Sequence, residues 1–156
     1  MTTIAYKLGV IAFDSRRTRD GYMIISDNED KSVAITKNDM PCTAVSCGSI
    51  PDINELLMIY SGEIDPSKST GRSLQAEAFV LIHRAKDKDE SVVHIGFSGG
   101  ELWEQAPCED GDAIGSGSKF AFTAFDFGAT AEEAVSAASK RDPFTGGKIR
   151  TIGRLR

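Results

Sequence analysis

Thr2 is the residue whose type and position could most directly do chemistry, because it follows Met1 at the start of the sequence. A side chain this small normally permits removal of the initiator methionine, and we expect Met1 to be removed. Thr2 would then carry a hydroxyl nucleophile and a free α-amine, a nucleophile-base pair known in catalysis. An unperturbed α-amine has a pKa of about 7.7–8.0, so between about one-sixth and one-eleventh of it is neutral at pH 7. Many chains begin Met-Thr without catalysis, so the chain start alone does not decide the question.

The other residue types able to do chemistry form weaker patterns. His83 and His94 lie in strand-like runs, where a lone histidine is more often structural than a ligand. The Gly-Ser-Gly-Ser run from Gly115 could hold a phosphate at a helix N-terminus, but a tight strand-to-helix turn is the simpler interpretation. Asp110 and Asp112 could bind a cation, although a solvated turn explains them better. No HExxH, Walker A or GxSxG motif occurs, which removes the main signals of metalloproteases, P-loop nucleotide hydrolases and α/β-hydrolases.

The first elements along the chain that could position such residues are predicted strands. Short runs of β-branched and aromatic residues alternate with turn signals such as Leu8-Gly9 and Asp20-Gly21, the latter typical of a tight hairpin. Five strands in the first fifty residues require hairpin connections, so the pattern predicts antiparallel pairing. The predicted strands are residues 2–7, 9–13, 22–25, 31–36, 43–47, 92–97, 101–104 and 148–152.

Three helices are predicted among these strands. Apolar residues at helical spacing from Ile53 to Tyr60 form one face of the first, which Ser49 could cap. Residues 118–127 form the second, and a capping box that starts at Thr130 begins the third. Residues 75–84 are ambiguous, since their apolar centre favours a strand and their flanks favour a helix. The order of the elements lacks βαβ alternation and predicts helices outside two sheets.

Length and composition limit the class of protein. The 156 residues suit a single domain that spans 1–156, and 40% hydrophobic with 26% charged residues is a globular composition. A net charge of −5 argues against non-specific nucleic-acid binding. No apolar run approaches the roughly 20 residues that span a bilayer, and no export signal is evident. Cys42, Cys47 and Cys108 lack CxxC spacing and fit reduced thiols. We therefore expect a soluble cytoplasmic protein that binds neither nucleic acid nor membrane.

Five segments occur in order from residue 2 to about residue 152: Thr2–Lys7, Gly9–Arg16, Gly48–Asp52, Ala113–Ser118 and Asp142–Gly147. Each is weak alone, but together they resemble the proteasome β-subunit family, especially the HslV-type peptidases. The resemblance covers nearly the whole chain. It implies an α+β fold of the N-terminal-nucleophile hydrolase type, a four-layer αββα sandwich of two antiparallel sheets with helices outside.

The resemblance also implies a threonine-type endopeptidase. Thr2 would attack a peptide carbonyl while its own amine accepts the proton. Asp14 would hold Lys31, whose ammonium would lower the pKa of the amine and favour the developing alkoxide; from the residues alone, Lys31 could equally lie at a solvated strand edge. Gly48 would supply an oxyanion-hole N–H, although Ser49 stands where the family has a second glycine. The other implied site residues are Ser116, Asp142 and Thr145 around the terminal amine, with Arg16 supporting them.

Specificity, cofactors and partners are less defined. The candidate substrate-pocket residues Arg17, Glu29, Ser46 and Ile50 predict no cleavage preference. The sequence requires no cofactor, and no motif supports a structural monovalent cation. The resemblance implies a homo-oligomeric ring, stacked rings, an external ATPase unfoldase and a protein or peptide substrate. Two alternatives stay open: a proteasome-like scaffold without activity, suggested by Ser49, and an N-terminal-nucleophile amidohydrolase acting on small amides.

Overall fold

The computed structural model describes residues 2–68, 73–84 and 90–156. Met1, whose removal is predicted, lies outside these ranges. Two compact units divide the chain: the segments up to Lys31 and from Pro107 onward form the first unit, and Ser32–Ala106 form the second unit. None of the helices within the described ranges has the length and apolar composition needed to cross a membrane.

The helices and strands follow in chain order along the described residues. They are β1 (Thr3–Lys7), β2 (Val10–Phe13), β3 (Arg17–Arg19), β4 (Met23–Ser26), β5 (Ser32–Lys37), β6 (Met40–Gly48), α1 (Ile50–Ser61), a short 3-10 helix (Pro66–Lys68), β7 (Ala76–Ile82), β8 (Ser91–Ser98), β9 (Glu101–Gln105), β10 (Asp112–Gly115), α2 (Ser118–Asp126), α3 (Ala131–Ser139) and β11 (Arg150–Gly153).

The first unit contains a four-stranded antiparallel sheet in the order β10-β1-β2-β11. Ala5 on β1 pairs with Ala113 on β10 and with Ala12 on β2, so small side chains line one sheet face. These alanines pack with alanines of α2 and α3 in one buried cluster. Because alternate strand residues point to opposite faces, Thr3 shares the face of Ala5, and Ile4 and Tyr6 occupy the other face.

The sequence signals at turns and caps in the first unit are confirmed. The Thr130 hydroxyl accepts the Glu133 N–H at 3.1 Å, which is the N-cap bond of the predicted capping box, and it donates to the Glu133 carboxylate at 3.1 Å. The β3–β4 hairpin turns at Asp20 and Gly21, whose φ angles of 55° and 74° fit a type I′ turn. This hairpin forms a separate two-stranded sheet.

The second unit is a five-stranded antiparallel sheet in the order β5-β6-β7-β8-β9, with α1 packed on β5, β6 and β7. The ambiguous segment 75–84 is therefore mainly a strand, β7. The core under α1 combines helix residues such as Leu56 and Tyr60 with strand residues such as Phe97. Ser49 occupies the N-cap of α1 but makes no side-chain capping bond, so its predicted capping role is wrong.

The predicted four-layer αββα sandwich with outer helices is wrong. The described chain is mostly sheet, with three antiparallel sheets and three α-helices. Alternation of apolar residues identifies strands and their buried faces, but it does not determine which strands pair. Residues 17–26 pair with each other at the Asp20-Gly21 turn and add a third sheet to the two that were predicted.

Candidate active site

Thr2 lies immediately before β1, with only 3% of its surface exposed. Its carbonyl oxygen accepts the Ser116 N–H at 2.8 Å, which ties it to the end of β10. Gly115 makes this approach possible, since it has a φ of 98° and a Cβ there would overlap the Thr2 carbonyl. The first strand is therefore held on both sides, because β10 pairs with β1 on one side and β2 pairs with it on the other.

Asp14 is fully buried directly after β2, and its carboxylate faces donors on both oxygens. Oδ1 accepts the Thr2 hydroxyl and the Thr3 N–H, the latter at 3.2 Å. Oδ2 accepts the N–H groups of Arg16 at 3.3 Å and Gly146 at 3.0 Å. A buried carboxylate is costly unless it is hydrogen-bonded and paired, and this arrangement meets both conditions once Lys31 is included.

Lys31 brings a positive charge to the same point. Its Nζ lies 2.5 Å from the Thr2 Oγ1 and 2.8 Å from the Asp14 Oδ1, and its side chain is 13% exposed. A hydroxyl held between an ammonium and a carboxylate is poised to lose its proton, because the ammonium stabilises the alkoxide that forms. The structure thus brings together Thr2, Asp14 and Lys31, which are separated by 12 and 17 positions in the sequence.

Ser116, Asp142 and Thr145 form a second polar cluster beside Thr2. The Ser116 hydroxyl donates to Asp142 Oδ2 at 2.5 Å and also lies 3.3 Å from the Thr2 carbonyl oxygen. The Thr145 hydroxyl donates to the same Asp142 oxygen at 2.7 Å and lies 2.6 Å from the Thr3 hydroxyl. These residues hold the backbone of Thr2 and the side chain of Thr3; their contact with a terminal amine stays a prediction.

Arg16 supports the loops around this cluster. Its guanidinium binds both carboxylate oxygens of Asp27, at 2.8 and 3.2 Å, and donates to the Pro143 carbonyl at 3.0 Å. The pKa of Asp27 is lowered by this hydrogen bond and charge, and the pKa of Arg16 is raised by the same partner. Arg16 therefore acts on the site through its backbone N–H to Asp14 and through the loop that contains Pro143.

The other sequence candidates occupy different surroundings. Arg17 and Glu29, in the first unit, form an exposed ion pair at 3.6 Å. In the second unit, Gly48 ends β6 opposite Ala76, and Ser46 has a buried hydroxyl for which the described residues provide no hydrogen-bond partner. Ile50 begins α1 and is 66% exposed. The oxyanion role of Gly48 and the substrate-pocket roles of the other four stay predictions.

Sequence reasoning missed several residues that shape the site. Thr3, fully buried, donates its N–H to Asp14 and pairs its hydroxyl with Thr145. Ser15 and Arg150 bind each other and the segment before Lys31. The Thr-Thr doublet gave a signal for Thr3, since a strand start with two small hydroxyl residues must point one toward each face. Nothing in the sequence pattern distinguishes Arg150 from the other basic residues near the chain end.

The candidate cation-binding residues of the sequence, and the three cysteines, lie in other surroundings. Among the described residues no group of three His, Cys, Asp or Glu side chains could hold a metal ion. Asp112 instead accepts the N–H groups of Cys108 and Ala113 and so stabilises its turn. Cys42 and Cys47 are buried, and Cys108 is exposed. The arrangement can do acid–base and nucleophilic chemistry at the Thr2 hydroxyl.

Comparison with known proteins gives similarity in structure alone, since no family model and no curated protein matches the chain. A mutant form of Anbu from Hyphomicrobium sp. strain MC1 matches with a TM-score of 0.65 at 14% identity, over 100% of this chain and 83% of that one. BPH from Thiobacillus denitrificans, in complex with epoxomicin, matches with a TM-score of 0.58 at 17% identity, over 99% and 97%. Anbu, the ancestral beta-subunit from Yersinia bercovieri, matches at 0.60 and 12%, over 99% and 82%.

The specific identification with HslV-type peptidases is therefore wrong, because the structural matches are to Anbu and BPH. Short segments such as the one that contains Asp14 specify local turns and contacts, and such local features do not separate one branch of a fold from another. At identities of 12–17% the likeness shows the fold. The chain shares the fold of the Anbu and BPH structures.

Proposed function

We propose that this protein is a peptidase whose nucleophile is Thr2, with the α-amine of the same residue as general base after removal of Met1. The observation that carries the proposal is the contact of the Thr2 hydroxyl with both Lys31 and Asp14 in a buried site. While Met1 is attached, the Thr2 nitrogen is an amide and cannot accept a proton. Its removal creates the base beside the nucleophile.

In the proposed reaction the Thr2 oxygen attacks the carbonyl carbon of a peptide bond, and its proton passes to the α-amine. The tetrahedral intermediate then releases the amine product, which takes the proton from the α-ammonium as the carbon–nitrogen bond breaks. An ester on Thr2 remains. A water that gives its proton to the α-amine hydrolyses this ester and restores the free hydroxyl. Lys31 stabilises the negative charge that develops on the Thr2 oxygen, and Gly48 is the proposed oxyanion donor.

The same proposal covers assembly and partners. Likeness to Anbu, described as an ancestral beta-subunit, supports assembly of copies of this chain, and we propose a ring that encloses the sites in the cytoplasm. Such a ring would need extended substrates, supplied by a separate ATPase unfoldase. The BPH structure in complex with epoxomicin supports the peptidase reading, because it shows that a protein of this fold binds that compound.

Intact mass spectrometry and peptide hydrolysis test the proposal together. We expect the purified protein to lack Met1 and to hydrolyse unstructured peptides. Thr2→Ala should lower kcat/KM by at least about 10³-fold, the scale seen when a nucleophile is removed. Thr2→Ser keeps a hydroxyl and should retain measurable hydrolysis.

Thr123→Ala is the matched control, since Thr123 is an exposed threonine on α2 whose hydroxyl bonds only its own helix, at the Lys119 carbonyl. It should match the wild type in both assays. Hydrolysis by Thr2→Ala at the wild-type rate would exclude Thr2 as nucleophile. A wild-type protein that lacks Met1 yet cleaves no peptide would favour the scaffold alternative.

A further inference from the structure

Lys31 reaches Thr2 from a segment with no regular secondary structure. Residues 27–31 connect β4 to β5, and none of them is in a helix or strand. The position of the Lys31 ammonium, 2.5 Å from the Thr2 Oγ1, therefore depends on tertiary contacts of this segment. An irregular segment keeps one conformation only where its backbone groups find fixed partners.

Arg150, on β11, supplies several of those partners. Its NH1 donates to the Glu29 carbonyl at 3.2 Å and to the Ser15 hydroxyl, and its NH2 donates to the Asn28 carbonyl at 3.3 Å and the Asn28 side-chain oxygen at 3.1 Å. One planar guanidinium thus binds two consecutive carbonyls directly before Asp30 and Lys31. This fork geometry fixes direction as well as distance, which a flexible ammonium would not do.

The strand that carries Arg150 is itself fixed against the site. Arg150 pairs with Phe13 on β2, the residue directly before Asp14. Two backbone bonds complete the clamp: Glu29 N–H to the Ser15 carbonyl at 3.0 Å, and Lys148 N–H to the Asp27 carbonyl at 3.1 Å. The segment before Lys31 therefore lies between the end of β2 and the start of β11.

We infer that Arg150 is a positioning residue that fixes residues 27–31 and through them holds the Lys31 ammonium against Thr2. This inference rests on the proposed function, since the consequence is catalytic only if Thr2 is the nucleophile. Loss of the guanidinium leaves the backbone of β11 in place and releases the carbonyls of Asn28 and Glu29, so Lys31 is no longer fixed at Thr2.

The test compares Arg150→Met with Arg154→Met, which removes a nearby exposed arginine. In Arg150→Met, amide exchange of peptides that cover residues 27–31 should accelerate at least about tenfold, because hydrogen bonds to a charged group are lost. Peptides that contain Ser116, whose N–H binds the Thr2 carbonyl, should keep their rate. Arg154→Met should change neither.

Kinetics separate a positioning role from a structural one. In Arg150→Met, kcat should fall by about 10- to 100-fold, as expected for a misplaced group, with KM nearly unchanged. The acid limb of kcat/KM should move to higher pH, because an ammonium that has moved away no longer opposes protonation of the α-amine. Lys31 and Asp14 contact the Thr2 hydroxyl, and Asp142 binds Ser116, which lies against the Thr2 carbonyl. Of these three charged groups, only Lys31 belongs to residues 27–31. Arg150→Lys keeps the charge and some donors, so its kcat and its acid limb should lie between those of the wild type and Arg150→Met.

Unchanged exchange over residues 27–31 in Arg150→Met would overturn the inference, as would faster exchange with an unchanged kcat and acid limb. If Arg150→Met does not fold, Arg150→Lys is read by the same criteria. Failure of the proposed function appears differently, as a wild-type protein with a free Thr2 and no hydrolysis, and it would refute the catalytic consequence for Arg150 as well.

Discussion

The two units differ in what they bury. Of the seven polar or charged residues buried in the described chain, six lie in the first unit, and His94 lies in the second. The six lie at three places in the first unit: the start of β1, the end of β2 and the loop after α3. They are Thr2, Thr3, Asp14, Ser15, Asp142 and Thr145.

One apolar cluster of the first unit, where its sheet packs on α2 and α3, is built from alanines and one valine. The same unit also buries larger side chains, among them Ile4, Tyr6 and Phe13. The cluster under α1 in the second unit contains leucine, isoleucine, tyrosine and phenylalanine. Burial of large apolar side chains stabilises a fold, whereas buried polar groups only break even when fully bonded. The comparison indicates that both units bury large apolar side chains, whereas the buried polar groups of the candidate site all lie in the first unit.

Asp14→Asn should have the largest effect, because five donors point at the Asp14 carboxylate and an amide nitrogen would face some of them. We expect a loss of about 3 kcal/mol in the free energy of unfolding and at least about a 100-fold fall in kcat/KM. Urea titration and peptide hydrolysis measure these.

Asp20→Asn, at an exposed hairpin turn, is the control and should stay within about 0.5 kcal/mol. The double variant Asp14→Asn with Lys31→Met should cost less than the sum of the single changes, since it removes both charges. Additive costs would show that Asp14 and Lys31 are not coupled.

Leu56→Ala tests the stabilising role of the second unit. Leu56 lies on the buried face of α1, so its truncation should lower the free energy of unfolding by about 2–5 kcal/mol. Hydrolysis by the folded fraction should be unchanged. Met58→Ala on the same helix, where the side chain is 40% exposed, should have little effect on stability. Equal losses in Leu56→Ala and Met58→Ala would contradict the assignment of the core.

High pH should lower the stability of the folded protein, because each unit buries a tyrosine whose pKa is raised. Burial and the hydrogen bond to Glu109 raise the pKa of Tyr6 to about 12, and burial likewise raises the pKa of Tyr60. A raised pKa in the folded state gives stability that is present below about pH 10 and lost as pH approaches 12. For Tyr6 the loss is at most about 2 kcal/mol. Urea unfolding between pH 9 and pH 12 should show a smaller loss in Tyr6→Phe than in the wild type; an identical loss would exclude Tyr6 as a source.

Thr130→Ala should have the smallest effect, about 1 kcal/mol, because it removes the capping bond from Thr130 to the Glu133 N–H at the start of α3. Thermal unfolding followed by circular dichroism would measure it, and Thr130→Ser should restore most of the loss. An unchanged melting temperature in Thr130→Ala would mean that packing of the α3 alanines, and not the cap, sets the stability of this helix.

Local features were predictable from the sequence because their cause is local. The Asp20-Gly21 turn and the Thr130 N-cap follow from the conformational preferences of a few adjacent residues, and both are confirmed. The ambiguous segment 75–84 could not be resolved in this way, since a buried apolar run suits either a helix or a strand until its neighbours β6 and β8 are known. The sandwich architecture and the HslV-type identification were wrong for a related reason: both extended local signals to relations between distant parts of the chain.

By itself, the sequence determined that a threonine follows Met1 and where most strands and turns lie. Its resemblance to a known family then made Asp14 and Lys31 the candidates to meet that threonine. Only the tertiary structure decided that they do meet, beside the start of β1 and the end of β2, the two central strands of a sheet that pairs β1 with β10 and β2 with β11. It also decided that Thr3, Ser15 and Arg150 belong to the same neighbourhood. The physical reason is that strand pairing and side-chain convergence depend on contacts between residues that are not neighbours in sequence, such as Thr2 with Lys31 and Phe13 with Arg150, and no local preference encodes such contacts.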